Sequence, residues 1–183
     1  LVLVGQEQGT GKSSLLKRIG KSWFSDSFMG VTGKEALEQL HGAWIIEMAE
    51  LSGLKKAEVE AIKHFMSKQE DMFRPAYGRT SEIYPRQCTF WGTTNNKAFL
   101  RDSQNRRFNP IDVHDIKVVD NPKMLEFLED DYLLNQIWAE AKMRWMMGEP
   151  LFLTGDLADA ARARQEDHRE ASVREGLIRD FVE

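Results

Sequence analysis

Gly9-Thr10-Gly11-Lys12-Ser13-Ser14 holds the residue types that grip a phosphate, in an order that lets them act together. Glycines leave backbone N–H groups free to point into a loop, and a helix beginning at the lysine turns the positive end of its dipole toward the same point. The Lys12 ammonium would pair with the β- and γ-phosphates of ATP, and the Ser13 hydroxyl would ligate its Mg²⁺. All six residues are expected to line the nucleotide site. The pattern G-x-x-x-x-G-K-[ST] has four residues between its glycines, whereas five separate Gly5 from Gly11. Either Gln6 fills the first glycine position or the loop is one residue longer. A ligand-free glycine turn between a strand and a helix is the bland alternative.

Carboxylates come next. Glu47 ends the apolar run Ala43 to Glu47, AWIIE, and Glu50 follows three residues on. A metal on nucleotide phosphates needs an acidic partner at a strand end beside the loop, and a nearby carboxylate can orient or deprotonate the attacking water. Glu47 joins Ser13 as a metal candidate, but the spacing leaves open which carboxylate orders Mg²⁺ and which acts on water. Trp91-Gly92-Thr93-Thr94-Asn95 ends another strand pattern in small polar residues. Asn95 is the one expected to hold a water near the γ-phosphate, although Asn-Asn after a strand is also good turn chemistry. Asn105-Arg106-Arg107-Phe108 offers two guanidinium groups suited to phosphate contact, including the charge that develops in a neighbouring subunit's site.

The stretch KQEDMFRPAYGRTSEIYPRQ interleaves Lys68, Arg74, Arg79 and Arg86 with Phe73, Tyr77 and Tyr84. Cations neutralise phosphates and aromatic rings stack on bases, so the mixture suits single-stranded nucleic acid. Lys68, Arg74 and Arg79 are the candidate contacts. An equal alternative is a loop whose rings pack inward while its arginines pair with Glu70, Asp71 and Glu82.

These groups need a scaffold. Leu1 to Val4 reads as a strand, Lys12 to Gly20 as the helix after the loop, and Lys34 to Leu40 as a short helix capped by Thr32. Ala43 to Glu47 reads as a buried strand, and Ala57 to Ser67 as a helix with Val59, Ile62, Phe65 and Met66 at helical spacing. After an irregular stretch, Cys88 to Thr93 and Phe108 to Val113 read as further strands. Strands alternating with helices predict an α/β fold, a parallel sheet flanked by helices. Beyond Pro122 only helices are expected: Met124 to Met147, Gly155 to about Ala171 after Thr154, and Ser172 to Val182. The expected division is a core over residues 1–113 and a helical C-terminal segment over residues 114–183. Leu134, Ile137, Trp138, Ala141 and Trp145 read as a core stripe, and ARARQEDHREASVRE as the solvated face of helices.

A chain of 183 residues, 42% hydrophobic, can bury a core, which excludes a disordered polypeptide. Its net charge of −4 is unevenly spread, because residues 55–107 carry 11 Lys/Arg and 6 Asp/Glu, a net of +5. One cysteine, Cys88, excludes an internal disulfide and reads as a small core residue of a cytoplasmic protein. His41, His64, His114 and His168 lack partners at metal-ligand spacing and read as solvated or packed. No apolar run has membrane length. The chain opens without Met inside a strand pattern, so a longer polypeptide is expected around it.

Taken together, these motifs resemble the virulence-associated protein E family of phages and mobile elements, whose core is related to superfamily 3 helicases and AAA+ ATPases. The resemblance runs nearly end to end through GQEQGTGKSS, WIIEMAELSGLKKAEVEAIKHFMS, DMFRPAYGR, FWGTTNNKAFLRD, NRRFNPIDV and IWAEAKMRWMMGEP. It implies a P-loop ATPase core using ATP and Mg²⁺, with Asn95 as the first nucleotide sensor and Arg106 or Arg107 acting in trans. It also implies a homo-oligomeric ring, a hexamer, and single-stranded DNA gripped by a hairpin near Arg74 and Arg79. The chain departs from the family pattern at the longer loop, which bears on turnover. It departs again at Asn109, where an aromatic residue is usual, which bears on packing.

The expected function is an ATP-hydrolysing, helicase-type motor of a mobile element's replication machinery. A P-loop phosphotransferase uses the same loop but needs an acceptor pocket, which Asn95 and the paired arginines do not call for. A nucleotide-binding interaction module without turnover is the reading that the irregular glycine spacing supports.

Overall fold

A computed structural model describes residues 1–28, 30–50, 56–100, 106–113 and 115–170. The expected helix Ser172 to Val182 lies outside them, as do Asn105 and His114. Strand β1 (Val2–Val4) leads through the glycine loop to α1 (Lys12–Gly20), then β2 (Phe24–Ser25), α2 (Lys34–Glu38), β3 (Ile45–Met48) and α3 (Lys56–Met66). There follow β4 (Glu70–Phe73), β5 (Glu82–Pro85), β6 (Thr89–Thr94) and β7 (Pro110–Asp112), and finally α4 (Pro122–Glu129), α5 (Asp131–Met146) and α6 (Gly155–Asp167).

Five strands form a parallel sheet in the order β2-β3-β6-β1-β7. Parallel strands require crossovers, whose helices cover both faces, and the period of two sorts each strand's side chains between those faces. On one face Leu3, Ile45 and Trp91 pack with Leu16 of α1. On the other, Val2, Val4 and Met48 meet Ile62 of α3, and Ile46 meets Ala36, Phe65 and the half-buried Cys88. Burial pushes the Cys88 thiol pKa up. The α/β class expected from alternation is therefore present, and no described helix is long and apolar enough to cross a membrane.

Local chemistry moves several boundaries. Gly33, at φ 89°, takes the N-cap position of α2 in place of Thr32, and no side chain caps the helix. The single helix expected from Met124 to Met147 divides at Asp130, which leaves helical geometry at φ −84°, ψ 96°. Its carboxylate accepts the Leu133 N–H at 3.0 Å and so starts α5 as an N-cap. The stretch that periodicity left irregular contains the antiparallel hairpin β4–β5, the element the family resemblance implied there.

The α5 stripe is not a core stripe. Leu134 is buried, but Ile137, Trp138 and Trp145 are 42%, 36% and 64% exposed: Trp138 meets Trp44 edge-on at 6.4 Å and donates to the Ile19 carbonyl, whereas Trp145, further along, stands largely in solvent. The solvated reading of residues 161–175 fails at His168, which is buried. Its Nδ1 lies 2.7 Å from the Lys97 carbonyl and its Nε2 3.1 Å from Asp112 Oδ1. Leu100 and Arg169 bridge beside it, so the chain after α6 is fastened to the segment that follows β6. Asn109 accepts a hydrogen bond from Gln165 Nε2 at 3.3 Å, a polar tie to α6.

Candidate functional site

The loops that leave β1, β3 and β6 at their carboxyl ends open onto one cleft of about 590 Å³, lined by residues 8–14 together with Ala49, Glu50, Thr93, Thr94 and Asn95. The chain leaves β1 for β2 at one edge of the sheet, whereas β6 is followed by β7 on the opposite side of β1. Ligands of open α/β sheets bind in the crevice at such a reversal. Period-two alternation also decides which side chains meet there. Ile45 faces α1, so Glu47 does too; Trp91 faces α1, so Thr93 and Asn95 follow.

Ser13, in the first turn of α1, donates to Glu47 Oε1 at 2.6 Å, and the Thr93 hydroxyl donates to the same oxygen at 2.8 Å. Glu47 is buried, held by two hydroxyls. Lys12 Nζ donates to Asn95 Oδ1 at 2.7 Å, Thr10 Oγ1 at 3.1 Å, the Glu7 carbonyl at 3.2 Å and the Gly5 carbonyl at 3.4 Å. Burial lowers the Lys12 pKa below the ordinary lysine value, and the Asp115 carboxylate partly opposes this.

Gly9 and Gly11 hold φ of 77° and 85°, left-handed conformations that favour glycine. A Cβ on Gly5 would stand 2.8 Å from Val113 Cγ2 and 3.3 Å from Lys12 Nζ. Gly5 N–H donates to the Thr94 carbonyl at 3.2 Å, which continues the β1–β6 ladder, so the loop proper begins at Gln6. The Ser13 hydroxyl and the Glu47 carboxylate are hard oxygen donors that fit Mg²⁺, an ion commonly held by one or two carboxylates plus substrate phosphates. No cluster of three His, Cys, Asp or Glu among the described residues would cage a metal without a substrate.

Glu50 lines the same cleft, exposed, with φ 55°. Gly9, Thr10, Gly11, Lys12, Ser13, Ser14, Glu47, Glu50 and Asn95 therefore come together. Arg106 and Arg107 do not join them. They precede β7, whose Pro110 pairs with Val2 at the start of β1, so they lie at the amino ends of the strands, across the sheet from the cleft. Arg106 is exposed, and Arg107 Nε donates to Ser67 Oγ at 2.8 Å.

Lys68, Arg74 and Arg79 do not line the cleft either. The hairpin divides its residues between the two sequence readings. Arg86 pairs with Asp71, both buried, and its guanidinium lies 4.6 Å over the Phe65 ring. Phe73 stacks on Tyr84 at 4.6 Å, with His41 edge-on to both. Arg74, Tyr77 and Arg79 remain exposed around the hairpin turn, as does Lys68 before β4.

Two site residues were assigned no role of their own from sequence. Thr93 was named only within the run of small polar residues that ends at Asn95, with which it shares parity. Asp115, whose Oδ1 accepts the Glu7 N–H at 3.1 Å, is 108 residues away from it in sequence and had no local signal.

No curated protein matches this chain. Among solved structures, an A-form apo structure of the NrS-1 C-terminal region (305–718) is similar with a TM-score of 0.47 and 18% identity, over 69% of this chain and 32% of that one. Another A-form apo structure of the NrS-1 C-terminal region has a TM-score of 0.44 and 19% identity, over 100% of this chain and 42% of that one. The chain spans less than half the length of either. The model of the virulence-associated protein E-like domain matches residues 1–170, and with that span covered the chain belongs to the virulence-associated protein E-like domain family.

Proposed function

We propose that the chain is an ATP-binding and ATP-hydrolysing motor domain of helicase type, serving DNA replication of a phage or mobile element. The observation that carries this reading is the meeting of Lys12, Ser13, Glu47 and Asn95 at the carboxyl end of the sheet, with Ser13 to Glu47 at 2.6 Å and Lys12 to Asn95 at 2.7 Å. The N–H groups of the glycine loop and the Lys12 ammonium bind the triphosphate. Ser13 and Glu47 hold Mg²⁺, which when bound neutralises charge on the β- and γ-phosphates. Thr93 keeps the Glu47 carboxylate turned toward Ser13. Glu50, at the mouth, takes a proton from the attacking water, and the Asn95 amide positions that water.

Arg106 or Arg107, across the sheet from its own cleft, completes the site of the next subunit in a homo-oligomeric ring. Single-stranded DNA meets Lys68, Arg74 and Arg79. ATP turnover followed against protein concentration, with and without single-stranded DNA, tests the whole reading. Turnover should rise steeply with concentration and vanish in Lys12→Ala. Binding without turnover in an assembled ring would leave only a nucleotide-binding module, and an absence of binding heat in calorimetry would remove the nucleotide site altogether.

A further inference from the structure

A glycine-rich loop whose backbone N–H groups must converge on phosphate is conformationally free unless something holds it. That freedom weakens binding, because backbone N–H groups that wander must be ordered when the ligand arrives. Residues 115–124 restrain the loop at three points. Glu7 N–H donates to Asp115 Oδ1 at 3.1 Å, and Val118 N–H donates to the Gly9 carbonyl at 2.9 Å. Val118 and Met124 close over Gly11, where a Cβ would lie 2.5 Å from Val118 Cγ2 and 3.0 Å from Met124 Cε.

The residue type at position 115 is informative. Asp115 Oδ1 and Lys12 Nζ lie 3.4 Å and 3.3 Å from the point where a Gly5 Cβ would stand, so the carboxylate is a neighbour of the phosphate-pairing lysine. A negative charge there repels a triphosphate. Its advantage must lie in geometry, as an acceptor for the Glu7 N–H of the loop.

We propose that Asp115 is a positioning residue of the nucleotide site, tying down the start of the loop through Glu7 N–H and so preorganising residues 9–12 for phosphate. The proposal rests on the reading of the cleft as an ATP site. Asp115→Ala removes the acceptor, whereas Asp115→Asn keeps an acceptor oxygen and removes the charge. Hydrogen exchange at the Glu7 amide of the nucleotide-free protein, and ATP affinity by calorimetry, are the two readouts.

Asp115→Ala should lose Glu7 protection and bind ATP about five- to tenfold more weakly, the scale of one hydrogen bond. Asp115→Asn should keep the protection and bind at least as tightly as the unaltered chain. Retained Glu7 protection and affinity in Asp115→Asn separate loss of the tie from general loss of folding. Tighter binding in both point variants would make Asp115 a purely electrostatic group and overturn the proposal. Unchanged Glu7 protection in Asp115→Ala would overturn it too. If the unaltered chain binds no ATP, the nucleotide reading falls, while Glu7 exchange still decides whether Asp115 holds the loop.

Discussion

In the proposed ATP site, binding and chemistry separate at the level of two side chains. Glu50 stands exposed at the cleft mouth with a left-handed backbone that few non-glycine residues adopt. Glu50→Gln keeps its shape but removes the base, so turnover at saturating ATP should fall roughly 10²- to 10⁴-fold with affinity nearly unchanged. Steady-state assay and calorimetry read the two quantities, and unchanged turnover would pass the base role to Glu47. Lys12 supplies a pH dependence. Only its charged form pairs with phosphate, so affinity is full below the Lys12 pKa and falls as pH rises through it. Burial lowers that pKa, so the alkaline limb should begin below the ordinary lysine value. Asp115 opposes the shift, and Asp115→Asn should move the limb further down in a titration of ATP affinity from neutral to alkaline pH.

Among the elements, the hairpin is secured by a buried ion pair and presents cations around its turn. Asp71 and Arg86 are each 5% exposed. Removing one partner strands a buried charge, so Arg86→Met should cost about 3–5 kcal/mol, and Asp71→Leu added to it should recover most of the loss. Urea denaturation midpoints compare the variants. Arg74 and Arg79 are exposed, and their double replacement by Ala should weaken single-stranded DNA binding and lower its salt slope by about two charges' worth. Unchanged affinity and slope would remove the DNA role. Elements with sustained periodicity, such as α1 and α3, were legible from sequence almost to the residue. Strand β2 was not, because two residues paired with Ile45 and Ile46 carry too short a pattern to register. Nor was the break at Asp130, which depends on a cap within an otherwise helical run.

For the whole molecule, the decisive relation is the separation of the arginine pair from the cleft by the length of the sheet. Within the proposed ring, Lys12→Ala subunits retain the arginines and Arg106→Ala/Arg107→Ala subunits retain the cleft. Mixing the two inactive proteins should restore part of the turnover, since some interfaces then join an intact cleft to intact arginines. No recovery at any mixing ratio would exclude action across subunits. The chain after β7 also belongs to this scale. Arg18 Nε donates to the Phe127 carbonyl, Lys21 to Asn135 Oδ1 and Trp138 Nε1 to the Ile19 carbonyl, so the later helices rest on α1.

The sequence by itself determined the strand-loop-helix unit around Lys12, the α/β class and the residue types at the cleft, because these depend on glycine conformations, hydrophobic periods and spacing within a few residues. Only the tertiary structure decided that Glu47, Thr93 and Asn95 share the α1 face, that the arginines stand across the sheet, that the α5 stripe is only partly covered, and that Asp115 reaches the loop. Each of those facts depends on strand order and on contacts between residues far apart in the chain, and no local pattern encodes which distant partner will close over a given side chain.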